Sequence, residues 1–247
     1  MAQNPRNAQA FVALMTAAGL GSVSFGLSQT RTWHPYLTLA LLAIAAPASR
    51  MKIKLPGFAG NMSVNLPFLL IAVAQLNLIE ALLVACGSTF VQCLPKDWLA
   101  PKLEHLVFNL ATMSLATGLA WKVFHSGTLS NSGISNALLL PLAAGVFFLG
   151  QTVPVSIIIS LTGIRTVRDL WTEMAQLTFP YFVLSAGVAS MAMAASNQIA
   201  WQIPLVVLPV MFGVFHSYQM YLPSEEAREI PGETAPTPLS KAACAGR

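Results

Sequence analysis

Residues 66–94 read LPFLLIAVAQLNLIEALLVACGSTFVQCL, and whether they form one helix or two decides the fold. As one tilted helix they would place Gln75, Asn77 and Glu80 near the bilayer centre, where a carboxylate costs several kcal/mol. A tight turn within residues 76–79 moves all three to the water interface and leaves two short helices. The bilayer is the relevant solvent because hydrophobic residues make up 55% of the 247 positions and charged residues only 9%. Runs such as 10–28 and 200–222 are long enough to cross a hydrocarbon core of ~30 Å as helices.

Eight apolar segments result, at residues 10–28, 36–49, 64–76, 78–94, 106–124, 136–162, 179–196 and 200–222. Basic residues discriminate between the two readings, because cytoplasmic loops attract Lys and Arg while translocated loops avoid them. With eight crossings and a cytoplasmic start, the inside collects Arg6, Arg50, Lys52, Lys54, Lys96, Lys102, Arg165, Arg168, Arg228, Lys241 and Arg247. Only Arg31 and Lys122 remain outside, a bias of eleven to two. Reading 66–94 as one crossing gives five inside against eight outside, an inverted bias. The sequence therefore predicts an all-α fold, a polytopic transmembrane helical bundle of about eight segments with both termini cytoplasmic. Two segments are short, rising only about 20 Å, and need neighbouring helices or a locally thinned bilayer. Residues 1–222 form the membrane domain, and 223–247, rich in Pro, Glu, Ala and Thr, read as a disordered cytoplasmic tail.

The net charge of +4 and the isoelectric point near 9.2 would suggest nucleic acid in a soluble protein, but here the excess sits at segment ends and serves topology. No nucleic-acid partner is expected; the lipid bilayer is. Cys86 and Cys93 lie two helical turns apart, roughly 10 Å, too far for a disulfide within that helix, and read as small core residues. Cys244 near the C-terminus precedes a final Arg, which fits no prenylation rule. The first segment resembles a signal peptide in having Arg6 before an apolar run with small residues after it. Its apolar character continues to Leu27, and the segment is expected to remain attached.

Several polar residues inside or beside the apolar runs are candidate ligand contacts. Glu80, the one acidic residue within the eight segments, sits with Gln75 and Asn77 at the outer end of the third and fourth helices. Polar groups at membrane depth are candidates for function; the alternative is a wetted turn with Glu80 favoured by a helix N-terminus. Asn109 lies near the start of the fifth segment. Gln151 and Thr152 lie within the sixth, just before Pro154, which bends a helix and frees carbonyls. The plainer account of these three is hydrogen bonding between helices. The stretch 55–65, LPGFAGNMSVN, reads first as a connector with the preceding lysines on lipid headgroups, and otherwise as a loop touching a ligand or partner. Residues 166–178 separate charge from apolar groups and are expected to lie along the cytoplasmic interface as a helix, with Trp171 at headgroup level. His34, His105, His125 and His216 fall near segment ends with no HExxH pattern, so no metal site is expected. No P-loop, nucleophile elbow, zinc motif or carboxylate pair is present; neither an enzymatic activity nor a cofactor is expected.

Five features in order, LPGFAGNMSVN (55–65), FVQCL (90–94), VFNLATMS (107–114), FFLGQTVPVSIIIS (147–160) and Trp171, resemble a bacterial membrane sensor region that precedes GGDEF or HD-GYP domains in cyclic-di-GMP signalling proteins. The resemblance covers about residues 50–221. It implies a multi-pass module of the bacterial inner membrane that senses a membrane or small-molecule cue. Two departures stand out. Gln151-Thr152 replaces a common Asn-Thr pair, and about 25 residues follow the last crossing, too few for an output domain. Signal relay to a separate partner protein is the expectation. By architecture the chain is also similar to the substrate-binding membrane subunits of energy-coupling-factor vitamin importers. That likeness implies a pocket near Glu80 and a helix face of Ala111, Ala116, Gly118 and Ala120 docking to a transporter subunit.

Overall fold

The 66–94 stretch folds as two helices. In the computed structural model, which describes residues 5–29, 32–54, 61–94, 103–127, 136–163, 165–199 and the single residue Gly213, α3 spans Leu66–Gln75 and α4 spans Leu78–Cys93. Leu76 and Asn77 both adopt extended backbone between them, and Asn77 caps α4. The reversal lies where the three polar residues would otherwise be stranded in hydrocarbon.

Around this pair stand α1 (Pro5–Leu27), α2 (Pro35–Arg50), α5 (Leu103–Phe124), α6 (Asn136–Thr162) and α7 (Val167–Ile199). Proline occupies the first turn of α2 and of α3, where the missing N–H removes no helical bond and the fixed φ favours initiation. Between α2 and α3, β1 (Lys52–Lys54) pairs antiparallel with β2 (Asn61–Ser63), Lys52 opposite Ser63. The expected all-α chain thus carries one short hairpin. Its second strand takes up part of the stretch 55–65 read first as a connector, because unpaired backbone groups beside a bilayer need hydrogen-bond partners. Residues 55–60 of that stretch lie outside the described residues.

Contacts along the helices fix their relative direction. Phe11 stacks near Phe108 with ring centroids 6.3 Å apart, and Gly19 faces Ala111, so α1 and α5 run parallel. Cys86 meets Ser114 at 3.1 Å, and Asn109 donates to Cys93 at 3.4 Å, so α4 opposes α5. Gln151 donates to Met113, so α6 opposes α5. The helices alternate in direction along the chain. One end of the bundle, the basic end, gathers Arg6, Arg50, Lys52, Lys54, Arg165 and Arg168; Lys122 lies at the other.

α3 is the centre of the fold. Every residue from Leu66 to Val73 is buried, with α2, α4, α5 and α7 packed around it. Trp121 of α5 donates from Nε1 to the carbonyl of Leu76 at 3.1 Å, satisfying one of the acceptors left open at the end of α3. Neighbouring helices therefore cover the ten-residue helix, as its length requires.

Among the described residues, four helices are long and apolar enough to cross a membrane: Arg6–Leu27, Leu103–Phe124, Leu139–Thr162 and Val167–Met193. α2, α3 and α4, with 16, 10 and 16 residues, are shorter than the ~20 residues of a typical span. Apart from Gly213, residues 200–222, expected as an eighth segment, and the tail 223–247 lie outside the described residues.

Three expectations change. The interfacial helix at 166–178 and the segment at 179–196 form one helix, α7, which continues through Pro180. Thr166 caps it, accepting from the Asp169 N–H at 3.3 Å. Leu170 and Met174 are buried, so this apolar face packs into the bundle instead of resting on headgroups. Cys86 and Cys93 are half-buried rather than core residues. The small-residue face of α5 is consumed internally: Ala116 abuts Gly150 of α6, and Gly118 abuts Ser22 of α1. Close helix approach within the bundle uses these small residues.

Candidate functional site

The six candidate residues separate into three places. At the α3–α4 turn, the Asn77 side chain accepts from the Glu80 N–H at 2.9 Å while Glu80 accepts from the Asn77 N–H at 3.4 Å. This reciprocal capping box satisfies two otherwise orphaned donors. The second carboxylate oxygen of Glu80 accepts from the His34 N–H at 2.6 Å, and Asn77 Nδ2 donates to the Thr32 carbonyl at 3.2 Å. Glu80 is fully buried. Its carboxylate ties the α1–α2 connection to the start of α4, at a helix N-terminus whose dipole favours negative charge. Gln75 is half-buried one turn earlier and joins none of these bonds. Asn109 is exposed at the basic end of α5, bonded to Cys93.

Gln151 and Thr152 are elsewhere, on the wall of a cavity of about 160 Å³ in the half of the bundle nearer the basic end. α6 supplies Phe147, Gln151, Thr152 and Val155; α7 supplies Met174, Thr178, Tyr181 and Phe182. Ser63 of β2, Asn65, Gln92 of α4 and Met113 of α5 close the remaining sides, with Leu66 and Leu69 of α3. No charged side chain lines it.

Hydrogen bonds hold this wall. Ser63 Oγ donates to Asn65 Oδ1 at 2.8 Å, and Asn65 Nδ2 donates to Ser88 Oγ at 3.2 Å. Tyr181 Oη donates to the Ser63 carbonyl at 3.0 Å, anchoring the hairpin on α7. Trp171 Nε1 donates to Thr152 Oγ1 at 3.2 Å, while Thr152 itself donates to the Phe148 carbonyl. Trp171 is thus a strut between α6 and α7, not only an interfacial aromatic. On the other face of the α6–α7 seam an open apolar groove runs past Pro141, Val146, Leu149 and Phe179. Pro154 and Pro180 lie within the two helices that supply most of the cavity wall, each removing one helical hydrogen bond.

Gln92, Thr178 and Tyr181 were not candidates from the sequence, and Ser63 and Asn65 were covered only by the second reading of 55–65 as a loop touching a ligand or partner. One signal was available. LPGFAGNMSVN contains Ser63 and Asn65, FVQCL contains Gln92, VFNLATMS contains Met113, and FFLGQTVPVSIIIS contains four wall residues. Stretches up to about a hundred positions apart converge on one cavity. Among the described residues, no group of three His, Cys, Asp or Glu side chains lies close enough to hold a metal ion.

A helical bundle with apolar spans and a small polar-edged cavity between helices defines a membrane protein. The chain matches the MASE9 family over residues 36–221, and it belongs to that family. The MASE families are membrane-associated sensor domains found in cyclic-di-GMP signalling proteins. No curated protein and no solved structure matches the chain.

Proposed function

We propose that the protein is a non-enzymatic sensor of the bacterial inner membrane that detects a small-molecule or membrane cue and relays it to a separate output protein. Membership of a membrane sensor family supports the sensing role. The observation that carries the reading further is the convergence of separate motifs on one partly open cavity between α3, α5, α6 and α7. α7 leads directly into residues 200–247, so an occupant that shifts α7 against α6 has a short covalent route to the C-terminal part of the chain. Proline positions in both helices favour bending there. In this reading the chain crosses eight times with both termini cytoplasmic, and the basic end faces the cytoplasm.

The test is affinity purification of the tagged protein from native membranes in mild detergent, with mass spectrometry of co-purifying proteins and small molecules. Recovery of a cyclic-di-GMP synthase, phosphodiesterase or signalling kinase is expected. Recovery of an ATPase with a coupling subunit would overturn the reading in favour of transport.

A further inference from the structure

Resting on the sensor reading, we infer that the cavity between α3, α5, α6 and α7 binds an uncharged single-ring aromatic molecule carrying a hydroxyl or carbonyl group. Size comes first. At about 160 Å³ the cavity is close to the ~150 Å³ site that accepts benzene in an engineered protein core, and too small for a drug-sized ligand. Shape and surface chemistry agree. Phe147, Phe182, Met113 and Met174 contribute flat or polarisable apolar wall, suited to ring faces and edges through aromatic and sulfur contacts.

Polarity then distinguishes this site from a dry void. Gln151 has one hydrogen bond, from Nε2 to the thioether of Met113 at 3.0 Å, and a thioether is a weak acceptor. Its carbonyl oxygen makes none among the described residues. Gln92 lies 3.3 Å from Ser63 Oγ, whose one proton already goes to Asn65 at 2.8 Å, so this contact leaves one end of the Gln92 amide without a described partner. Gln151 and Gln92, on a wall that also carries Ser63, Asn65, Thr152, Thr178 and Tyr181, thus each keep one end of the amide without a described partner, which a guest or water can complete. A ring hydroxyl can donate to Gln151, and a ring hydroxyl or carbonyl can pair with the free end of the Gln92 amide. The uncharged lining disfavours an ion, since nothing offsets its desolvation.

The test uses the purified full chain in lipid nanodiscs, with ligand-observed fluorine NMR of 4-fluorophenol, fluorobenzene and 4-fluorobenzoate. Saturable binding of 4-fluorophenol, displaced by unlabelled phenol, is expected, with fluorobenzene at least tenfold weaker and 4-fluorobenzoate absent. Gln151→Leu should weaken 4-fluorophenol at least tenfold, and Thr178→Phe, which fills the cavity, should abolish saturable binding. Each variant is first checked for an unchanged elution profile and thermal midpoint, with Gln92→Leu replacing one that does not fold. Equal binding of fluorobenzene, displacement by benzoate, or 4-fluorophenol binding indifferent to the variants would each overturn the inference. If binding fails while an output protein still co-purifies, the ligand class falls and the sensor reading stands. If 4-fluorophenol binds as expected while no signalling partner co-purifies, the ligand class stands and relay to a separate protein falls.

Discussion

Glu80 illustrates how one residue can be anomalous in sequence and ordinary in structure. A carboxylate amid apolar residues invites a functional reading, yet both its oxygens accept from backbone N–H groups, those of Asn77 and His34. Removing the acceptor leaves the buried Asn77 N–H and the part-buried His34 N–H unpaired, at ~1–3 kcal/mol for the buried one and less for the other. Glu80→Ala is therefore expected to lower the thermal midpoint of the detergent-solubilised protein clearly, and Glu80→Gln, which keeps one oxygen acceptor, to lower it about half as much. Equal midpoints for the two variants would remove the capping account. Tyr181 makes a comparable tie on the opposite side of the core, donating to the Ser63 carbonyl. Tyr181→Phe should cost about 1 kcal/mol and speed hydrogen exchange of the β2 amides without shifting exchange in α4.

At the scale of elements, α1 is held to the bundle by close backbone approach. A Cβ at Gly19 would sit 2.9 Å from both the Cα and the carbonyl oxygen of Ala111, whereas one at Gly21 would meet nothing within 4 Å. Backbone cannot rotate away as a side chain can, so Gly19→Ala forces α1 and α5 apart and is expected to destabilise by about 1–3 kcal/mol. Gly21→Ala should be neutral or slightly stabilising from helix propensity. Paired thermal unfolding in the same detergent checks both signs. The length of α7 has a different consequence. Its 33 residues rise about 50 Å, more than a ~30 Å core, so its first turns with Arg168, Asp169 and Glu173 extend towards water. Glu173 pairs there with Arg165. An exposed pair of this kind contributes little to stability, and Glu173→Gln should leave the thermal midpoint nearly unchanged.

For the whole molecule, the alternation of helix direction makes a topology experiment decisive. In a variant lacking the native cysteines, Gly127→Cys lies at the Lys122 end and Arg165→Cys at the basic end; both positions are exposed. A membrane-impermeant maleimide is expected to label the thiol at position 127 in intact spheroplasts and the thiol at position 165 only after permeabilisation. The reverse pattern would place the basic end outside. Much of this architecture was legible in the sequence. The turn at residues 76–77 was readable because three polar residues cannot remain at the middle of a bilayer-spanning helix. The end of the span α6 at Thr162 was readable, since long apolar runs register solvent preference directly. The α7 boundary was not, because an amphipathic segment satisfies a headgroup layer and a bundle core equally well until the neighbouring helices are in place. The site divides along the same line. Gln151 and Thr152 were visible as polar interruptions, and Glu80 with Asn77 as a polar cluster, but their partners were not. Sequence alone determined the solvent, the helical class and the reversal at Asn77, because hydropathy and charge act on each segment independently. Only the tertiary structure decided that Ser63, Asn65, Gln92, Gln151 and Tyr181 share one cavity while Glu80 and Asn109 stand apart, because that depends on which helix faces meet.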